Sequence, residues 1–264
     1  MFPDIVEYMR KIFSGLLCLC LAFVMLFTFT GCKGKDEFRV AVFSGSLAPA
    51  TFINSNGKPD GIAIDLAKLY ARESNKKLKM NIFSFDGYLA AVQSGTHDAL
   101  FCLTPMEERM AMFDFSDVYA TFSAMFMARA NDTSLDTCTT KEQIEIAVNG
   151  KNVGTLGNSS HDIYLRTVDG VTQTYFDDLA TMIVALKNGQ VDYVLWDWLV
   201  VNSEPVTNVF ANNPEIKNIN VPVEESDLAV AVKKGNTALL NEINELIASV
   251  KSDGRLDAII EKYV

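Results

Sequence analysis

Two histidines and two tryptophans are all that 264 residues contain of either type. His97 and His161 have no Cys or carboxylate set around them at metal-ligand spacing, so no metal is expected and both read as surface or helix-terminus residues. Positive charge is also in the minority: 23 Lys and Arg face 33 Asp and Glu, a formal net charge of −10. A phosphate backbone binds clustered cations, so nucleic acid is not expected as a partner. No phosphate-cradling G-x-x-x-x-G-K-[ST] loop and no G-x-S-x-G elbow occurs, and the stretch between Gly154 and Gly157 is too short for a dinucleotide fingerprint. With those templates missing, neither catalysis nor a cofactor is expected.

What is present is a globular composition, 49% hydrophobic and 21% charged, long enough for one large or two modest domains. Residues 12–29 are apolar almost throughout, behind Arg10 and Lys11 and ahead of Thr30-Gly31-Cys32, the plan of an export signal. Met9 is a more ordinary beginning for such a segment than Met1, because Asp4 and Glu7 are odd in a charged n-region. Phe29-Thr30-Gly31-Cys32 resembles a bacterial lipoprotein box, with Phe29 where Leu is usual. That resemblance implies a signal peptide over 1–31, lipidation of Cys32 and a linker over 32–37. The alternatives are soluble secretion and an uncleaved anchor, since about 18 apolar residues can just span a bilayer. All three place the remaining chain outside the cytoplasm. Cys18, Cys20 and Cys32 lie in this front segment, which leaves Cys102 and Cys138 as expected free, partly buried thiols.

One short sentence is written twice. Ala91-Val92-x-x-Gly95-x-x-Asp98 matches Ala185-Leu186-x-x-Gly189-x-x-Asp192, each copy a helix stopped by glycine, then an Asp and an apolar strand. Ligands collect beyond the carboxyl ends of strands in open α/β sheets, so two such units suggest two lobes with facing sites. The alternative is that any helix-Gly-strand junction reads this way. Around the first copy, strands are expected over 39–43 and 80–83 and a helix over 64–72, with a dense turn cluster over 54–61. A strand over 123–129 leaves this lobe. A second α/β series then runs from a helix at Thr140, capped by Gln143, through strand 152–156, a helix from Ser159 and strand 172–176 to the second copy. A return strand over 227–232 and helices over 237–250 and 255–262 close the chain, so the second lobe is inserted in the first and the double crossing makes a hinge.

Three places carry chemistry. Arg109 follows a buried strand through Thr104-Pro105, and its guanidinium suits a bidentate carboxylate, or else pairs with Glu107, Glu108 or Asp114. Gly157-Asn158-Ser159-Ser160 precedes an apparent helix and presents N–H groups and hydroxyls to an anion, or is an ordinary N-cap. Asp197, after an apolar strand over 193–196, suits an ammonium, or caps a following helix. Arg with a helix start and Asp with Thr together describe the head of an α-amino acid.

These residues reach a family resemblance. Gly61-x-x-x-Asp65-Leu66-Ala67, the first doublet from Phe85 to Asp98, Arg109-x5-Phe115-Ser116-Asp117-x-Tyr119 and Val191-Asp192-x-x-x-x-Asp197 closely resemble the extracellular solute-binding proteins of polar amino-acid ABC transporters, family 3 type, over nearly all of 38–264. The resemblance implies an α/β, two-lobed periplasmic-binding-protein fold of type II, with lobes of 38–124 plus 226–264 and of 125–225 joined by two crossing hinge strands. It implies a monomeric, lipid-anchored receptor that captures an α-amino acid and delivers it to a membrane permease. By the same resemblance Arg109 holds the α-carboxylate with Ser159 and Ser160, while Asp197, Thr104 and the backbone at Cys102 hold the ammonium, and Phe85 packs on the ligand side chain. Departures stand at Leu47, where the family usually has an aromatic, at Ser44, where it often has an acid, and at Cys102, where Ser or Gly is usual. A sensory ligand-binding protein and a periplasmic cyclohexadienyl dehydratase-like enzyme are the alternatives, the latter without an identifiable general acid.

Overall fold

The turn cluster around Asn54 shows how local chemistry sets the first half of the chain. In the computed structural model, which describes residues 36–201, 204–205 and 213–263, strand β1 (Glu37–Phe43) is followed by a small hairpin of β2 (Phe52–Ile53) and β3 (Pro59–Asp60). The Asn54 side chain accepts from the N–H groups of Asn56 and Lys58 and so folds the turn on itself. Gly61 then starts helix α1 (Ile62–Glu73) at φ 119°, where a Cβ would lie 2.5 Å from the Ala50 carbonyl oxygen. Only glycine fits there. The expected signal segment and Cys32 lie outside the described residues.

The chain continues through β4 (Lys77–Phe83), α2 (Phe85–Gln93), β5 (Ala99–Leu103), α3 (Glu107–Met110), β6 (Phe113–Phe115) and β7 (Ala120–Arg129). The second series is α4 (Lys141–Ala147), β8 (Asn152–Leu156), α5 (Ser160–Leu165), β9 (Thr172–Phe176), α6 (Leu179–Lys187) and β10 (Tyr193–Trp198). Then come β11 (Val200–Val201), β12 (Glu204–Pro205), β13 (Ile216–Asn218), β14 (Glu224–Lys233), α7 (Thr237–Ser252) and α8 (Arg255–Glu261). The Thr140–Gln143 capping box at α4 is formed as expected.

Strand order is β4-β1-β5-β14-β7-β10-β8-β9, with β6 added to β14 and β13 to β7. At each end stands a parallel trio, β4-β1-β5 and β9-β8-β10. Between them run two ten-residue strands, β7 and β14. The first half of β14 pairs with β7, from Glu224 opposite Ala124 to Leu228 opposite Ala120, and its second half passes to β5 and β6. Likewise β7 leaves β14 and pairs with β10 through Ser123 to Met127. These are the two crossing strands of a two-lobed, type II periplasmic-binding-protein fold.

The doublet reads identically in both lobes. Gly95 and Gly189 take φ of 80° and 70°, and their N–H groups close α2 and α6 on the carbonyls of Val92 and Leu186. The shared Asp is a structural clamp. Asp98 Oδ2 accepts from the Arg39 N–H at 2.7 Å while its own N–H bonds the Arg39 carbonyl at 2.8 Å. Asp192 does the same to Asn152 at the start of β8, at 2.9 and 2.8 Å. Each fixes the register of its trio from the edge away from the cleft.

Apolar residues divide by face. One cluster packs α1 and α7 on Phe38, Val40 and Val42 of β1, another packs α4 and α5 on Phe126, Tyr193 and Leu195, and a third runs from Phe43, Tyr88 and Leu103 to Leu156, Met182 and Trp196. The third joins residues of both lobes. Replacing Gly61 by Ala is predicted to cost roughly 1–3 kcal/mol through backbone strain and the close Ala50 carbonyl. Urea denaturation checks this against Gly57→Ala, where the added methyl meets open space.

Candidate ligand-binding site

Arg109 is placed by the end of β5. Thr104 and Pro105 turn the chain, α3 begins at Glu107, and the side chain of Arg109 points inward with 4% exposure. Its Nη1 donates to the Thr104 carbonyl at 3.0 Å and its Nη2 to the Asn158 carbonyl of the other lobe at 2.9 Å. The guanidinium carbon also lies 5.9 Å from the centre of the Phe85 ring. Pairing with Asp114 does not occur, because Lys234 takes that carboxylate at 2.7 Å, and Glu107 and Glu108 are exposed. Burial lowers the Arg109 pKa to about 10, opposed by Tyr88, Asp197 and Glu108, so the group stays cationic at neutral pH. Two of its five N–H donors serve the backbone bonds.

On the facing lobe, Asn158 at φ 60° turns the chain out of β8 and Ser159 caps α5, accepting from the Asp162 N–H at 3.2 Å. The Ser159 hydroxyl also donates to the Leu156 carbonyl. The N-cap reading of Ser159 is thus correct, and the residue faces the cleft as well. Asp197 corrects the expectation of its place. It lies within β10, opposite Ala124, and caps no helix, because β10 is followed by β11.

His161 is a second correction. Read as a surface or helix-terminus residue, it does stand in the first turn of α5 but is 4% exposed, with its ring 5.7 Å from that of Trp196 and its Nε2 3.0 Å from Asp197 Oδ1. The two groups meet without the alignment of a hydrogen bond, so Asp197 Oδ1 and both His161 nitrogens have no hydrogen-bond partner. Most of α5 is buried, Asp162 included, which pairs with Arg166 at 2.5 Å. No apolar periodicity signals such a helix.

These groups line one cavity of about 510 Å³ of atom-free space, part of it open to solvent. Arg109, Asp197, Thr104, Ser159, Ser160, Cys102, Phe85 and Leu47 all face it. Ser44 does not; it lines an adjoining crevice with Asp86 and Asp178, its N–H held by the Phe83 carbonyl. The sequence reading missed His161, Trp196, Phe43, Tyr88 and Leu156, which line the cavity too, as do Thr51, Leu103 and Leu228. Tyr88 has a particular effect: its hydroxyl donates to the Cys102 carbonyl at 2.6 Å and accepts from the Cys102 N–H at 3.3 Å. A ligand at the Cys102 backbone therefore has only the second lone pair of that carbonyl.

Residues 39–264 match the family of bacterial extracellular solute-binding proteins, family 3. The chain belongs to that family. Among its relatives is the L-cystine-binding protein TcyJ of Escherichia coli K12, 27% identical over 234 residues, covering 88% of this chain and 84% of TcyJ. An amino acid ABC transporter substrate-binding protein of Streptococcus pneumoniae, AbpA bound to L-arginine, superposes with a TM-score of 0.74 at 28% identity, covering 86% of this chain and 94% of AbpA. A mutant ArgBP of T. maritima gives 0.75 at 28% identity over 86% and 95%. The family is one of extracellular solute-binding proteins, and TcyJ and AbpA are by name an L-cystine-binding and a substrate-binding protein. No helix among the described residues is long and apolar enough to cross a membrane.

Cys102 and Cys138 are free, as expected. Burial, with a smaller contribution from Asp197, raises the Cys102 thiol pKa to about 12. The thiol is therefore protonated and slow at pH 8. Mass spectrometry after iodoacetamide treatment is expected to find Cys102 largely unmodified in the folded protein and fully alkylated in urea.

Proposed function

We propose that this chain is the substrate-binding component of an ABC importer that captures an α-amino acid by its head group, between Arg109 of one lobe and Asp197 of the other. One observation carries the reading: a guanidinium and a carboxylate, 4% and 3% exposed, line the same cavity without pairing with each other. Their charges match the two ends of a zwitterion, and the family and its amino-acid-binding relatives agree with that chemistry. Arg109 takes the α-carboxylate, with Ser160 adding a hydroxyl beside the capping Ser159. Asp197 and Thr104 take the ammonium, and Phe85 packs on the side chain.

Closure follows from the same contacts. Lobe boundaries at 124/125 and 225/226 fall within β7 and β14, where β7 passes from β14 to β10 and a few residues before β14 passes to β5, so rotation occurs along this stretch. A ligand touching both walls favours the closed state by its differential affinity. The exported chain works as a monomer held at the membrane by lipid on Cys32, supported by the segment 12–32, and passes its amino acid to a permease without altering it.

A thermal-shift screen of the twenty common L-amino acids identifies the ligand class by mass action. Each charged hydrogen bond contributes about 1.5–3 kcal/mol. Arg109→Ala and Asp197→Ala are each predicted to weaken binding of the best-stabilising amino acid by more than about tenfold in calorimetry. Unchanged affinity in Arg109→Ala removes the assigned role.

A further inference from the structure

His161 takes no part in the head-group contacts assigned above, yet it is a buried titratable side chain inside the same cavity. Its Nε2 stands 3.0 Å from Asp197 Oδ1, on the carboxylate assigned to the ligand ammonium. Neither ring nitrogen and not Oδ1 has a hydrogen-bond partner, although all are shielded from solvent. Buried polar groups of this kind are ordinarily satisfied, and both belong to side chains that line the cavity. Imidazole is the side chain whose charge changes between about pH 5 and 8.

We propose that His161 is a further ligand-contacting, selectivity-determining residue, whose protonated ring and the ligand ammonium compete for Asp197, so that capture of the amino acid releases the imidazole proton to solvent. The inference rests on the head-group reading of the site. In the protonated state, His161 neutralises Asp197 and an ammonium would enter beside a like charge. In the neutral state, one ring nitrogen is an acceptor and can take an ammonium N–H alongside the carboxylate. The proton balance is simple: imidazolium plus ammonium ligand gives imidazole, bound ammonium and a free proton.

The surroundings of the ring bear on the sign. Asp197 of β10 and Glu224 of β14 stand on either side of Ala124 of β7 in register, and so on one face of the sheet. Burial raises the Glu224 pKa, with Lys141 and His161 acting against it, and its Oε2 has no hydrogen-bond partner. Across the cavity stands Arg109, a cation that disfavours a second one. On α5 itself, Asp162 is spent on Arg166, and on α4 Glu145 accepts from Tyr164 while Lys141 lies over the Tyr164 ring. Adding an ammonium to this group makes the protonated ring less favourable. Affinity therefore falls as the ring gains a proton.

The test uses the purified exported chain and, as probe, whichever of the twenty common L-amino acids stabilises it most at pH 7.5. Calorimetry from pH 8 to 5.5, in two buffers of different ionisation enthalpy, is expected to show weakening of up to about tenfold per pH unit, with release of up to about one proton. His161→Gln keeps a side chain of similar reach and is expected to bind the probe with a flat profile. Because the chain has only two histidines, His161 is assigned in NMR by its loss in that variant, and its ring titration is expected to move to lower pH on adding the probe. A flat wild-type profile, a slope kept in His161→Gln, or a slope lost only in Glu224→Gln overturns the proposal. If none of the twenty amino acids binds, the head-group reading fails, and the NMR titration of the unliganded chain still reports whether Asp197→Asn shifts the His161 ring, as the pairing requires.

Discussion

Two unit charges of opposite sign are kept out of water on facing walls of one cleft, and neither neutralises the other. Isolated charges in such surroundings cost several kcal/mol each even after relaxation. Arg109 offsets part of this by giving two donors to backbone carbonyls, and Asp197 by lying against His161. The remainder is what a zwitterion would complete. Stability alone would be served better by apolar residues at both positions, which is why the pair reads as a site.

The rest of the fold holds that pair. Asp98 and Asp192 lock the two parallel trios at their far edges, so β5 and β10 deliver their last residues to the cleft in fixed register. Two long strands connect the trios. The Arg109 bond to the Asn158 carbonyl and the Asn158 side-chain bond to Asp86 already run from wall to wall. On the proposed reading, a guanidinium that holds both the opposite lobe and a ligand carboxylate would couple occupancy to closure by geometry, with no separate relay.

Much of this was legible in the order of residues, because caps, turns and glycine stops act within a few positions. The doublet, the Thr140–Gln143 box, the strands over 152–156 and 172–176 and the Ser159 cap are all local. Arg109 and Asp197 were legible as chemistry, through the match of their charges to a head group, and Asp197 was misplaced only in being set beyond its strand. The repeated Asp of the doublet belongs to strand registration. His161 was not legible. It sits on a short helix beside Asp162, and what makes it a pocket residue is the approach of β10 and β14 from far along the chain. Trp196, Phe43 and Tyr88 read as core for the same reason, and Ser44 was drawn toward the cavity by alignment while its backbone bond to Phe83 holds it in the next crevice.

Calorimetry with three relatives of one compound addresses the central claim most directly: the best-stabilising amino acid, the amine left by removing its carboxylate, and the acid left by removing its ammonium. Convergence of Arg109 and Asp197 on one zwitterion requires both truncated compounds to bind at least about tenfold more weakly than the intact amino acid. Undiminished binding of either one would mean that the corresponding charged wall does not touch the ligand.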